Sequence, residues 1–442
     1  MRYLIAIVVL SLSLSLDART VVFENARLVD VSTAETSEPA QVGIRDGFIV
    51  EADAISEPDV VVSKPGYLIP GLAEMHAHVP PADQGQWVDD TLALYLAFGV
   101  TTIRGMLGEP GHLEIKRELA SGERIGPRLI TSGPSLNGNS VTSPEKGAVM
   151  VREQSEAGYD FLKLHPGLWP EAFDAIVKAA RALDIDFAGH VSDDVGIERA
   201  LSAGQITIDH LDAYMQALVP EDHELHGTEP GFFGINLAAA ADPGRIAALV
   251  EKTIENNVWN VPTETLMVNL TGERSVEEML DRPAMAYVPK SMREQWGERV
   301  AGVRENVPEE QRRAFLDIRR QLLAELHEAG AGILLGADAP QIMNVPGHAV
   351  HEELALYVAA GLSPAEALAT GTVNVAMFFG QSGHGCLEPG CVADLVLLEA
   401  NPLEDIGHTE TIRGVMRAGE WFDRERLDSM LEAIAERAGN SE

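Results

Sequence analysis

The sequence predicts an α/β protein: a (β/α)8 TIM barrel carrying a small β-sandwich domain built from both ends of the chain. Two patterns lead there. Short apolar runs recur at 70–77, 100–105, 128–132, 160–165, 186–191, 206–211, 258–263 and 332–337, and each but the last is followed by helix-like sequence before the next. Strand texture without intervening helices is confined to 20–68 and 385–423. A chain of 442 residues has room for one barrel and one smaller domain.

The first residues, MRYLIAIVVLSLSLSLDA, place one arginine before an apolar stretch from Tyr3 to about Leu16. That stretch is too short to span a bilayer comfortably, and small residues follow it. It reads as a secretory signal peptide over 1–18, cut near Ser15 to Ala18, with an exported, periplasmic or secreted product. No cysteine follows it, which argues against a lipoprotein anchor, and no later segment reads as a stable membrane anchor. Strands over Thr20 to Val29, Gln41 to Val50 and Val60 to Leu68 form the N-terminal half (19–68) of the β-domain.

The barrel is expected over 69–384. One of its helices starts at Pro170 and sets Phe173, Ile176, Val177, Ala180 and Leu183 on a single face. Another runs from about Glu309 to Glu328, with Phe315, Ile318, Leu322 and Leu326 facing inward. Ser363-Pro-Ala-Glu366 is a capping box with proline at the first helical position, and Val373–Phe379 is closed by Gly380. Strands over Ala393–Leu398, Ile412–Arg417 and Glu420–Phe422 complete the β-domain (385–425), and 426–442 reads as an exposed helix. Cys386 and Cys391 flank Leu-Glu-Pro-Gly, where either a disulfide across a tight turn or two free thiols would fit; no histidine or further cysteine nearby completes a tetrahedral metal set. The connections 211–240 and 264–308 are long, and on a barrel they emerge at the mouth, where substrate choice is made.

Charge narrows the partners. Asp and Glu number 68 against 33 for Lys and Arg, a formal net charge of -35. Such a field repels polyanions, so nucleic acid is excluded as a partner and a small-molecule substrate is expected. Solubility or saline surroundings account for the acidity; steering of a cationic substrate is the lesser reading. A homo-oligomer stays open.

The chemistry sits at the ends of the barrel runs. In His76-Ala-His78 the two imidazoles share one side of a strand, because side chains alternate with period two. Lys163 lies in the apolar strand Phe161-Leu-Lys-Leu-His165. An unpaired ammonium is costly to bury, so a lowered pKa and a neutral amine are expected there, able to take up carbon dioxide as a metal-bridging carbamate; snorkelling or an acidic partner is the alternative. His190 and His210 end two further runs, and Asp338 ends the eighth. Strands one, four, five, six and eight converge on one mouth in a barrel, and four imidazoles, a carboxylate and a lysine there can hold two divalent cations.

The run Pro70-Gly-Leu-Ala-Glu-Met-His-Ala-His78, followed by Lys163, His190, His210 and Asp338, resembles the amidohydrolase superfamily. The resemblance extends to Gly99-Val-Thr-Thr-Ile-Arg104, Leu362-Ser-Pro-Ala-Glu-Ala-Leu368 and Gly390-Cys-Val-Ala-Asp-Leu395. It is nearest to the imidazolonepropionase-like and prolidase-like branch, with its Xaa-Pro or Xaa-Arg dipeptidases. The resemblance implies that His76, His78 and Asp338 hold one ion, His190 and His210 the other, and a carbamate on Lys163 bridges them with a hydroxide. Zinc is the expected metal; manganese, cobalt, nickel and iron fit the same donors. Related dipeptidases often have Asp where this chain has Gly105, and a Gly-Gly-His-like turn where it has Ser135-Leu-Asn-Gly-Asn-Ser140, which opens the question of substrate.

The implied reaction is cleavage of an amide or peptide C–N bond, in a dipeptide or N-acyl amino acid. The bridging hydroxide attacks, a metal stabilises the oxyanion, and Asp338 is the general base and acid. A lactone, carboxylic ester or phosphotriester is the alternative electrophile for the same centre. A non-catalytic scaffold is disfavoured because no ligand is lost. Tyr214, Arg104, Asn137 and His165 are candidate substrate contacts, against packing for Tyr214 and His165 and a structural ion pair for Arg104; Ser140 is a candidate by location. His223, His226, His348 and His351 read as surface or packing residues.

Overall fold

The computed structural model describes residues 19–440, so the expected signal peptide lies outside the described residues. The N-terminal strands are β1 Thr20–Asp30, β2 Glu35–Thr36, β3 Ala40–Arg45, β4 Phe48–Val50, β5 Val60–Val62 and β6 Gly66–Pro70. Seven strands follow, alternating with helices: β7 Leu72–Ala77, β8 Val100–Gly105, β9 Arg128–Thr131, β10 Phe161–Leu164, β11 Asp186–Gly189, β12 Thr207–Asp209 and β13 Trp259–Val261. The last three are β14 Leu395–Leu398, β15 Ile412–Arg417 and β16 Glu420–Asp423.

Strands β7, β8 and β9 form one parallel sheet and β10 to β13 another. They read as unbroken apolar runs because both faces are covered; every residue of β7 and β10 is buried. Parallel bridges Ser132–Phe161 and Leu136–Leu164 join the two sheets, and bridges Asn260–Ile333 and Ala77–Ala339 set the segment 333–339 between β13 and β7. That segment is the expected eighth strand, but it is not a regular one. Leu334 N donates to Asn260 O at 2.9 Å, yet the Leu335 N–H turns to Thr370 O, the Ala337 N–H to the Glu74 carboxylate, and Asp338 has a φ of 63°. The ladder is interrupted where the chain bends to aim Asp338.

The helices begin and end as their sequences direct. Ser143 Oγ accepts from Lys146 N ahead of Pro144, and that helix stops at Gly158 in the left-handed conformation. The capping box at Ser363 and Glu366 forms. Phe315, Ile318, Leu322 and Leu326 of the helix Glu309–Glu328 are buried. On Pro170–Leu183 the buried face is Ala172, Phe173, Ile176, Val177 and Ala180; Leu183 is exposed, because it is the last helical residue before Asp184 turns left-handed.

Both chain ends build one nine-stranded sheet, in the order β16-β15-β14-β6-β1-β3-β4 with β2 and β5 also on β1. Hydrogen bonding joins these strands into one sheet, and it curls. Strands β1 and β16 stand four places apart, about 19 Å in a flat sheet at about 4.8 Å per strand, yet Phe23 and Trp421 meet edge to face at 5.1 Å. The enclosed core includes Val21, Ile44, Leu68, Leu395 and Met416, and Cys386 and Cys391 are joined as a disulfide beside it. The last helix, Arg424–Asn440, is not simply exposed: Leu427, Leu431 and Ile434 are buried, and Arg437 pairs with Asp90 of the helix Gln86–Ala97 at 2.6 Å. No helix among the described residues is long and apolar enough to cross a membrane.

One buried ion pair ties an outer helix to the strand ends. Arg319 donates to His210 O (2.7 Å), Pro262 O (2.8 Å) and Glu264 Oε1 (2.6 Å). Removing one partner of such a pair leaves an uncompensated buried charge. Arg319→Ala is therefore expected to cost about 3–5 kcal/mol in equilibrium denaturation, and a loss below about 1 kcal/mol would show that the pair does not hold this junction.

Candidate metal centre

The parallel strands deliver the predicted ligands to one place. His76 and His78 close β7, where the pairing with β8 shifts register between Glu74 and Ala77. His78 Nε2 stands 2.6 Å and His76 Nε2 3.6 Å from Asp338 Oδ1. Ligand atoms of His76, His78 and Asp338 all lie within 4.8 Å of one another. Next to them, imidazoles form a continuous row: ring centres are 4.4 Å apart for His76 and His210, 4.6 Å for His210 and His190, and 4.7 Å for His190 and His165. Lys163 is fully buried behind the row; its Nζ makes no hydrogen bond and lies 3.8 Å from Asp209 Oδ2.

Neighbours outside this set decide which ring nitrogens are free. Thr263 Oγ1 donates to Pro262 O at 2.7 Å, so toward His210 Nδ1, 2.8 Å away, it accepts. Its partner is then an Nδ1–H, and the lone pair of His210 is left on Nε2. His190 Nδ1 is 2.6 Å from Asp212 Oδ2. His76 Nδ1 and Asp209 Oδ2 sit 2.9 Å apart without an aligned hydrogen bond. For His210 and His190 Nδ1 is engaged, and Nε2 is the nitrogen left for a cation.

Burial sets the charges. It holds His76 and His210 well below the ordinary imidazole range, His190 at about 3 and His165 at about 2, with Lys163 adding to the effect at all four. These rings are neutral, the form that binds metal. Burial also brings Lys163 down to about 8 against the pull of Asp209 and Asp338. Burial works against ionising Asp209, but Arg104, Lys163 and His210 overcome it and hold that carboxyl below its usual value. Burial raises Asp212 to about 8 against the pull of Lys163 and Arg319.

The backbone is strained here. His210 and Asp338 both adopt φ of 63°, a conformation that costs a residue with a side chain about 1–3 kcal/mol and persists only where its surroundings enforce it. Two glycines make room. A Cβ on Gly189 would meet Leu164 O at 2.6 Å and Lys163 Cδ at 2.8 Å, and one on Gly336 would meet His76 N at 2.7 Å.

The other expected substrate contacts fare differently. His165 stacks on His190 and belongs to the cluster. Tyr214 does not reach it: the hydroxyl is buried against Thr253 Oγ1 at 2.8 Å. Arg104 is buried too, donating to Met75 O (2.7 Å) and pairing with Asp209 (3.3 Å), which is the structural ion pair. Asn137 is spent on its own turn; its Oδ1 accepts from Asn139 N and Ser140 N, and Ser140 Oγ donates to Ser135 O. Sequence reading missed Asp209, Asp212, Thr263 and Phe233. Asp209 adjoins His210 and Asp212 follows two residues later, but partnership with His76 and His190 crosses between strands. Phe233, from the long connection after β12, covers His210 at 5.0 Å.

The sequence also matches a family model, that of the amidohydrolase family, over residues 67–422. The chain belongs to the amidohydrolase family. As such it is a hydrolase, and members of the family typically work with a divalent metal, for which His76, His78 and Asp338 are a suitable site. Among solved structures, this amidohydrolase is similar to a bottromycin amidohydrolase (TM-score 0.72, 23% identity, 96% of this chain and 91% of that one). It is also similar to a protein from Bifidobacterium longum assigned as a prolidase (0.67, 23%, 94% and 99%). A third is a Xaa-Pro dipeptidase with methionine bound in its active site (0.63, 19%, 91% and 100%). At these identities the likeness establishes the fold. A search of curated proteins gave no match.

The donor set fits a metal: imidazoles gathered around a carboxylate, with a buried amine that makes no hydrogen bond beside them. The groups on the Nδ1 side should matter for affinity. Asp212→Ala is expected to weaken zinc binding about 10- to 100-fold in a competitive chelator titration; unchanged affinity would remove Asp212 from the site.

Proposed function

We propose that this amidohydrolase cleaves amide or peptide C–N bonds with two divalent metal ions. His76, His78 and Asp338 would hold one ion and His190 and His210 the other, with Lys163 as its carbamate supplying a further anionic ligand. The observation that carries this reading is Lys163: an amine buried completely, without a hydrogen bond, among four neutral imidazoles. A carbamate replaces that stranded donor with an anionic, two-oxygen ligand. The two parallel sheets and the bridged segment 333–339 are read as the eight staves of one (β/α)8 barrel over 69–384, with the curled terminal sheet as a separate β-domain. A disulfide at Cys386–Cys391 and the signal peptide expected over 1–18 both suit an exported protein.

When bound, the metals supply Lewis acidity that makes water nucleophilic near neutral pH and polarises the scissile carbonyl. The chain does the rest. The Asp338 carboxylate, 2.6 Å from His78, would accept the proton of the attacking water and return it to the leaving amine. Asp209, Asp212 and Thr263 fix the imidazoles, so that little reorganisation is left for the reaction itself. Phe233 keeps water off the His190–His210 side. Amides are favoured over other electrophiles because the similar solved structures include an amidohydrolase, a prolidase and a Xaa-Pro dipeptidase.

Protein prepared with bicarbonate should carry two metals per chain by elemental analysis, and fewer than one would end the binuclear reading. Lys163→Ala should lose activity and regain part of it with short carboxylic acids, which replace the carbamate. The decisive screen sets dipeptides and N-acyl amino acids beside lactones, esters and a phosphotriester. Turnover confined to the latter group would keep the metal centre and overturn the amide assignment.

Acidity gives a separate check. The amine must be neutral to take up carbon dioxide, and with Lys163 at about 8 its neutral fraction rises with pH. At constant dissolved carbon dioxide, the initial rate of carbamylation of the metal-free protein, which follows the neutral amine, should grow about fivefold from pH 7 to 8 and less than twofold from 8 to 9. Uptake that does not depend on pH over this range would contradict a titrating Lys163.

A further inference from the structure

A cavity of about 450 Å³ opens beside the candidate centre, with His78 in its wall and Gln341 Nε2 3.2 Å from His78 Nε2. The long connection after β13 helps build it: the helix Lys290–Asn306 sends Met292 and Trp296 into the lining, one turn apart. Opposite stand Trp87 and Leu107, and Leu107 is 44% exposed although apolar. Exposed apolar surface gathered around a cavity beside a reaction centre is surface waiting for a ligand.

The polar part of the lining is as informative. Its one carboxylate is Glu109, whose Oε1 accepts from Ala82 N at 2.7 Å. Among the described residues no lysine or arginine lines the cavity, and burial keeps His112 below the ordinary imidazole range, so it contributes no charge. A substrate carboxylate seated here would lose hydration, meet no cation and face Glu109. A cation would instead have a carboxylate and two indole rings to approach.

We infer that this cavity takes the apolar or aromatic part of the substrate, and that the portion seated there carries a neutral or cationic end rather than a free carboxylate. The inference rests on His76, His78 and Asp338 being the reaction centre. It narrows the substrate from dipeptides in general to hydrophobic amides without an acid at this end, with Trp87, Trp296 and Glu109 setting the preference.

Tryptophan fluorescence of the zinc-loaded protein can test it with 3-phenylpropylamine, 3-phenylpropanol and 3-phenylpropionate, which share one apolar body and have no bond to cleave. Glu109→Arg should shift the amine-to-carboxylate ratio tenfold or more toward the carboxylate, and Glu109→Gln, which keeps an acceptor for Ala82 N, should shift it several-fold the same way. Trp87→Ala should weaken all three ligands. Because the metal is present throughout, its own attraction for a carboxylate cancels in the variant-to-parent ratio. An amine-to-carboxylate ratio that both Glu109 variants leave unchanged, or affinities that Trp87→Ala leaves unchanged, overturns the inference. None of these readouts needs hydrolysis, so failure of the amide assignment would show separately in the turnover screen.

Discussion

Burying a lysine amine among imidazoles is the constraint to which the rest of this site answers. Lys163 has no hydrogen bond and one carboxylate, Asp209, at 3.8 Å. Asp209 in turn pairs with Arg104, receives the Thr207 hydroxyl at 2.7 Å and lies against His76. One buried anion thus stands between two cationic side chains and a candidate ligand. The arrangement fixes the protonation pattern: a carboxylate held ionised, an amine brought to about 8, and neutral histidines. Such a pattern costs stability in the absence of metal, because charges and donors are withdrawn from water without full compensation. A cation between the Nε2 atoms would relieve it.

That strain is contained by a rigid surround. His210 and Asp338, both at positive φ, are anchored through their backbones: Arg319 takes the His210 carbonyl, and Asp338 N donates to His76 O at 2.9 Å. Glu353 accepts from Glu264 N and Thr265 N at 2.7 and 2.6 Å, holding the start of the helix that follows Thr263. The irregularity of the segment 333–339 belongs to the same economy of hydrogen bonds. Its N–H groups are diverted to Thr370 O and the Glu74 carboxylate, so none of the diverted donors named here is stranded while the ladder breaks.

The candidate ligands and the cavity lining come from different parts of the chain. Ligand candidates come from strand ends, where position is set by the sheet. Phe233 comes from one long connection and Met292 and Trp296 from the other, while Trp87, Leu107 and Glu109 come from the segments after β7 and β8. Loops so placed can change without disturbing the strands beneath them. Similarity in fold at 19–23% identity therefore says little about the contents of the cavity beside His78.

Much of the fold and the candidate centre was legible in the residues themselves. Short apolar runs ending in His, Lys or Asp report strands buried on both faces with a polar group at one end, because local periodicity and burial leave a mark on every such run. The seven regular strands and the gathering of His76, His78, Lys163, His190, His210 and Asp338 followed from that mark alone. Roles that depend on which strands become neighbours left none. Tyr214, four residues past His210, and Arg104, at a strand end, were plausible contacts by position, but packing turned the Tyr214 hydroxyl to Thr253 and gave Arg104 to Asp209. The same packing selected Asp212 and Thr263 as partners of His190 and His210, bent the segment 333–339 and curled the terminal sheet over Phe23 and Trp421. Sequence determined which side chains stand at the strand ends, since that is a local property of each run. Tertiary structure alone decided what each of them touches, since those contacts join residues as far apart as 260 positions.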